Sequence, residues 1–172
     1  WAQKRWRAER VMVLDFDAHH GDGTEEILAD RPGVRFLSLF QWPLFPHRRM
    51  EPTPSNAVLS PLPAGAGGEE IRNVVENVWL PEIDKFQPDL MILSAGFDAH
   101  CEERIAQLKA GEMDYACVTR LLVEASFAYC EGRLVSVLEG GYELRSLARS
   151  VFTHLQGLIR NPLPAETCKD PN

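Results

Sequence analysis

An α/β fold built on a mainly parallel sheet follows from three observations on this chain. Four short apolar runs, Val11 to Leu14, Val34 to Leu39, Leu90 to Leu93 and Leu134 to Leu138, are rich in Val, Leu and Ile and show little alternation. Strands covered on both faces read this way. Each run ends in a polar or glycine-rich turn, and helical spacing lies between and after the runs. Strands alternating with helices need crossover connections, which run right-handed and make the sheet parallel.

In chain order, the basic cluster Lys4, Arg5, Arg7 and Arg10 reads as a solvated helix face. After the first strand, Asp22 or Thr24 can cap a helix starting near Glu25. The stretch from Gln41 to Gly68 carries prolines at 43, 46, 52, 54, 61 and 63 and glycines at 65, 67 and 68, which predicts one long loop. Loops of that length in compact domains are functional or disordered. Ile71, Val74, Val75, Val78 and Trp79 then repeat at helical spacing. So do Tyr115, Val118, Leu122, Ala125 and Tyr129, and later Leu144, Leu147, Ala148, Val151, Leu155 and Leu158. Residues 1 to 160 read as part of one domain, and residues 161 to 172 as a flexible tail.

Composition excludes several classes. The net charge of −7 argues against direct nucleic-acid binding, which needs a basic surface. No apolar run approaches the ~20 residues that span a bilayer, so no membrane role is expected. The four cysteines include no C-x-x-C pair, so a thiolate zinc site is not expected and a cytoplasmic location is.

In an open parallel sheet, ligands bind beyond the carboxyl ends of the strands. After the first run stands Asp15-Phe16-Asp17-Ala18-His19-His20-Gly21-Asp22-Gly23, with three aspartates and two histidines within eight residues. In extended backbone Asp15, Asp17 and His19 point the same way. Carboxylate oxygen and imidazole nitrogen suit zinc or another first-row divalent ion. After the third run, Ser94-Ala95-Gly96-Phe97-Asp98-Ala99-His100 adds Asp98 as a natural third ligand. After the fourth, Glu139-Gly140-Gly141-Tyr142 can present a phenol over the strand ends, where it can donate a hydrogen bond to a developing oxyanion. Ser38 has no evident base nearby in sequence, which argues against a serine hydrolase.

These three motifs resemble the arginase/deacetylase superfamily, and closely its histone deacetylase and acetylpolyamine deacetylase branch. The run D-x-D-x-H-H-G-[DN]-G-T matches Asp15 to Thr24, S-A-G-F-D-A-H matches Ser94 to His100, and L-E-G-G-Y matches Leu138 to Tyr142. The resemblance implies a three-layer α-β-α fold, incomplete in this chain, and a zinc-dependent amide hydrolase acting on N-acetyl-lysine in proteins or on acetylated polyamines. It implies Asp17, His19 and Asp98 as zinc ligands and Tyr142 as the oxyanion donor. Asp15 and Asp22 would orient a tandem histidine pair acting as general base and acid. Asp15, Asp17, His19, Ser38 and Leu39 would hold a structural potassium or sodium ion, largely through backbone carbonyls. Phe45, Gly140 and Gly141 would line the substrate channel, and His20 would neighbour the site without ligating.

The chain departs from that pattern in one large respect. The family's histidine pair follows a proline and glycine in the N-terminal half, whereas the one adjacent pair here, His19-His20, belongs to the metal motif. His47, His100 and His154 are isolated. The strands that would complete the sheet are also expected to be missing, leaving apolar edges exposed. After His100 the sequence reads Glu102-Glu103-Arg104-Ile105 where relatives read D-D-P-L. A competing expectation is therefore an inactive metal-binding fragment that lacks its general base. A manganese ureohydrolase of the arginase type would need an aspartate two residues after Asp98, where this chain has His100.

Overall fold

Each of the four apolar runs forms a strand in the computed structural model, which describes residues 1–47 and 52–159. The strands are β1 (Val11–Asp15), β2 (Val34–Gln41), β3 (Ala57–Leu62), β4 (Leu90–Ala95) and β5 (Leu134–Leu138). They pair in parallel in the order β3-β2-β1-β4-β5. From β1 the chain steps outward through β2 to β3, then crosses back to β4 and β5 on the other side. Right-handed crossovers in opposite directions put helices on opposite faces, which gives the three layers.

The helices are α1 (Ala2–Arg5), α2 (Asp22–Leu28), α3 (Gly68–Val74), α4 (Leu80–Phe86), α5 (Glu112–Cys130) and α6 (Leu144–Leu158). Met12 and Leu14 of β1 share the main core with Ile71, Trp79, Ile83 and Leu122 from the α3–α5 side. Val11 and Leu90 point the other way and pack with Ala8, against which Ala2 of α1 rests.

Three expectations need correction. The stretch from Gln41 to Gly68 is not all loop, because β3 lies inside it. Pro61 does not forbid this strand: β3 is at the sheet edge, where a missing N–H need not be paired inward. The basic cluster is not one helix face. α1 holds only Lys4 and Arg5, Arg7 takes a left-handed φ of 58°, and Arg10 pairs with Asp89 at 3.0 Å, joining the starts of β1 and β4. The helix after β1 begins at Asp22 with Gly21 as its N-cap, so neither Asp22 nor Thr24 caps it. The tail expected at residues 161–172 lies outside the described residues.

The predicted helix around Ile71 to Trp79 extends to Phe86 through a π-helical turn at Val75–Trp79. Pro81 explains the turn, because it has no N–H to give the carbonyl four residues back, and widening the ladder accommodates the gap. Its start is held by Glu70, whose carboxylate accepts the Gly67 N–H at 2.8 Å.

α5 and α6 meet β5 through the buried His154. Thr119 Oγ1 donates to the Tyr115 carbonyl at 2.6 Å and so accepts from His154 Nδ1 at 2.7 Å. His154 Nε2 then accepts from Ser136 Oγ at 2.8 Å. The ring is neutral in this arrangement, and burial pushes its pKa down to about 4 from an ordinary 6.5. Stability from this group is complete above pH 6.5 and is lost as pH falls toward 4, at a cost of about 3 kcal/mol. The melting temperature of this chain is therefore expected to drop across that window. His154→Gln should flatten that slope; an unchanged slope in the variant would assign the acid loss to other groups.

β5 is the other edge of the sheet. Val135, Val137 and Leu138 stay exposed on it, as do Leu144, Phe152 and Leu155 of α6. The run Leu134 to Leu138 is therefore not covered on both faces, as its unbroken apolar pattern suggests it should be, because β5 has a neighbouring strand on one side only among the described residues.

Candidate metal centre

The sheet order reverses direction between β1 and β4, and the crevice beyond that switch point is where an open α/β sheet binds its ligand. The chemistry-bearing segments lie there. In register, Asp15 at the end of β1 sits between Ser38 of β2 and Ser94 of β4. The chain then runs on into Phe16 to His20 on one strand end and Gly96 to His100 on the next.

Asp17, His19 and Asp98 converge from these two turns. His19 Nδ1 lies 2.8 Å from Asp98 Oδ2 and 3.2 Å from Asp17 Oδ1. One candidate ligand atom from each of the three falls within 4.8 Å of the others. The remaining carboxylate oxygens are tied to backbone: Asp98 Oδ1 accepts the Ala18 N–H at 2.8 Å, and Asp17 Oδ2 accepts the Gly140 N–H at 2.8 Å. Each aspartate is thus aimed by a donor from another turn.

Gly140 is required here by close approach. A Cβ at this position would stand 2.5 Å from both Asp17 Oδ2 and Asp98 Oδ2. Gly141 is required by conformation, with φ of +141°. The pair lets β5 end against the cluster and still turn into α6.

Electrostatics follow the geometry. Hydrogen bonds to Asp17 and Asp98 raise the His19 pKa to about 10. Burial raises Asp98, which also feels the Asp17 charge. Burial acts on Asp17 in the same sense, but donors from the His19 ring and from the His19 and Gly140 N–H groups outweigh it, so its pKa is lowered. Burial also pushes Asp15 well above the ordinary carboxylate range, against the N–H that Asp17 donates to it at 3.0 Å. Two carboxylates around one imidazole nitrogen form a site that prefers a cation. A zinc ion takes four donors at about 2 Å, and this set supplies three, leaving a coordination position for substrate or water. The residues therefore fit the ion that the motifs imply.

The other expected residues separate into those brought near the cluster and those left apart. Tyr142 follows Gly141 and is 61% exposed; partial desolvation and then the charges of Asp98, Asp17 and Glu103 raise its pKa. Ser38 and Leu39 are buried in β2, Ser38 beside Asp15. His20 turns away from the cluster, placing Nδ1 3.3 Å from Ser38 Oγ and Nε2 against Glu25. Phe45 is exposed, its ring centroid 6.5 Å from that of His47. Asp22 is exposed in the first turn of α2, where its carboxylate accepts the Gly23 N–H at 2.8 Å.

The structure adds residues that were not singled out in the sequence. Glu25 is the buried partner of His20, and its five-residue offset within the Asp-His cluster was a usable signal. Glu103 accepts N–H bonds from Tyr142 and Glu143; nothing local in the sequence announces a contact across about 40 positions. His100, Glu102 and Glu112 form a second gathering of possible ligands. There Arg149 already supplies the positive charge, pairing with Glu102 at 2.5 Å and with Glu112, whose pKa it helps lower to about 2.

Fold and residue set together define a three-layer α/β domain with a candidate divalent-metal centre at its switch point. The chain belongs to the histone deacetylase family: the histone deacetylase domain model matches residues 1–158. It is 33% identical over 177 residues to "Histone deacetylase 10, chloroplastic" of Oryza sativa subsp. japonica, covering 99% of this chain and 40% of that protein. Over 142 residues it is 38% identical to a "Probable deacetylase" of Archaeoglobus fulgidus, covering 79% of this chain and 40% of that protein. It is also 31% identical over 181 residues to "Polyamine deacetylase HDAC10" of Mus musculus, covering 95% of this chain and 26% of that protein. Among solved structures, the HDA15 HD domain superposes with a TM-score of 0.81 at 28% identity, over 93% of this chain and 47% of that one. The chain thus spans less than half the length of these relatives. No described helix is long and apolar enough to cross a membrane.

Proposed function

We propose that this chain forms the metal-binding half of a zinc-dependent amide hydrolase that removes acetyl groups from N-acetyl-lysine in proteins or from acetylated polyamines. The observation that carries this reading is the convergence of Asp17, His19 and Asp98 at the switch point, next to the turn that bears Tyr142. When bound, zinc polarises the acetyl carbonyl and acidifies a water molecule. Asp17 and Asp98 would hold that ion with carboxylates pre-aimed by Gly140 and Ala18, and His19 would complete the set. Two anionic ligands leave little net charge to acidify water, which makes a separate general base more necessary. Tyr142 would donate its phenolic proton as a hydrogen bond to the oxyanion of the tetrahedral intermediate.

Asp15 and Asp22 are proposed to orient the family's general-base histidine pair. Asp22 faces solvent, free to meet a segment from outside these residues. Within residues 1–172 the one adjacent pair is His19-His20, with His19 committed to the metal set. A structural potassium or sodium ion is proposed at Asp15, Asp17, His19, Ser38 and Leu39, a reading supported by the side-by-side register of Asp15 and Ser38.

The same count of histidines favours a second reading for the chain alone, a metal-binding fragment without turnover. One assay serves both. The purified 172-residue chain should not release acetate from an acetyl-lysine peptide or from acetylspermidine. A protein carrying this chain within a complete deacetylase domain should do so, and lose the activity on Asp98→Ala. Turnover by the isolated chain that Asp98→Ala abolishes would overturn the requirement for an outside base. No turnover by the complete-domain protein would overturn the enzyme reading.

A further inference from the structure

We propose that Glu103 is a positioning residue that sets the location of the Tyr142 phenol. The proposal rests on the reading of Tyr142 as the oxyanion donor. The backbone leading to Tyr142 is fixed only as far as Gly140, whose N–H binds Asp17 and whose carbonyl accepts the Phe97 N–H at 2.8 Å. Gly141 follows in a left-handed conformation, and Tyr142 is largely exposed, so packing on the ring does little to hold it.

One carboxylate oxygen supplies the missing constraint. Glu103 Oε1 accepts the N–H of Tyr142 at 2.7 Å and that of Glu143 at 2.8 Å. These N–H groups lie immediately before α6, which starts at Leu144 with Glu143 as its N-cap, so an anion beside them is also favoured by the helix dipole. Glu103 is itself held to the Asp98 turn. Its N–H binds the His100 carbonyl at 2.9 Å, and the neighbouring Cys101 N–H binds Ala110 at 2.8 Å. Glu102, next in chain, pairs with Arg149 of α6 at 2.5 Å. The segment after the proposed metal ligand Asp98 therefore grips the segment that carries the phenol, and the Asp98 turn and the Tyr142 turn are locked in register. Misplacing a reacting group by about 1 Å can cost on the order of 100-fold in rate.

A structural cap would stabilise α6 without touching turnover, so the test separates the two. In the 172-residue chain, hydrogen–deuterium exchange should show the Tyr142 and Glu143 amides protected in wild type and in Glu103→Gln, which keeps the acceptor oxygen, and unprotected in Glu103→Ala. In a protein carrying this chain within a complete deacetylase domain, Glu103→Ala should lower kcat roughly 10- to 100-fold with KM and zinc affinity unchanged, and Glu103→Gln should restore most of it. In a Tyr142→Phe background, Glu103→Ala should cause little further loss, because the phenol it positions is gone. A lower melting temperature with unchanged kcat, or a kcat loss that adds fully to that of Tyr142→Phe, would overturn the proposal. If Tyr142→Phe alone is fully active, the oxyanion reading fails while the exchange data still report whether Glu103 holds the turn.

Discussion

Tyr142→Phe, in a protein that carries this chain within a complete deacetylase domain, is expected to lower kcat by about 10² to 10³, or roughly 3–4 kcal/mol of transition-state stabilisation. The substitution removes one hydroxyl and leaves the ring. Tyr142 is exposed, so little packing is lost with that oxygen. The backbone N–H that anchors the residue to Glu103 is untouched. Zinc affinity should therefore match wild type, and KM should change little, because the hydrogen bond strengthens only as the carbonyl becomes an oxyanion. Steady-state kinetics with metal analysis of the same samples checks this. Full activity in the variant would remove Tyr142 from the chemistry.

The second large effect is on metal binding. Asp98→Ala is expected to weaken zinc binding by more than the roughly 10- to 100-fold typical of losing a group that merely supports a ligand. Asp98 faces His19 Nδ1 with one oxygen and holds the Ala18 N–H with the other, so its loss removes a donor and loosens the turn between Asp17 and His19. Asp22→Ala is the matched control. Its carboxylate is exposed and, among the described residues, accepts just the neighbouring Gly23 N–H, so zinc affinity should be unchanged. Equal losses in the two variants would mean that the effect is general charge rather than ligation.

The residues that were legible in the sequence share a physical reason. β1, β2 and β4 are covered on both faces, so their apolar runs are continuous and hard to mistake. Two aspartates and a histidine at alternate positions after β1 have no packing explanation, and Asp98 sits at the matching point after β4. β3 was hidden because an edge strand tolerates Pro61 and needs no continuous apolar run. Gly140 was legible as a turn former but not as the one residue small enough to pass between two carboxylates. Glu103 was hidden for a different reason. Its partners lie about 40 residues away on another strand end, and only the sheet order β1-β4-β5 brings the Asp98 and Tyr142 turns together. His154 read as an isolated histidine, yet it proves to be a neutral core residue wedged between Thr119 and Ser136.

Asp17, His19 and Asp98 are proposed to hold one divalent ion. Isothermal titration of the metal-free 172-residue chain with zinc chloride tests it most directly, with His19→Ala measured alongside. One tight site per chain is expected, absent in the variant. No saturable binding by the wild-type chain, or a single site that survives His19→Ala, would contradict it.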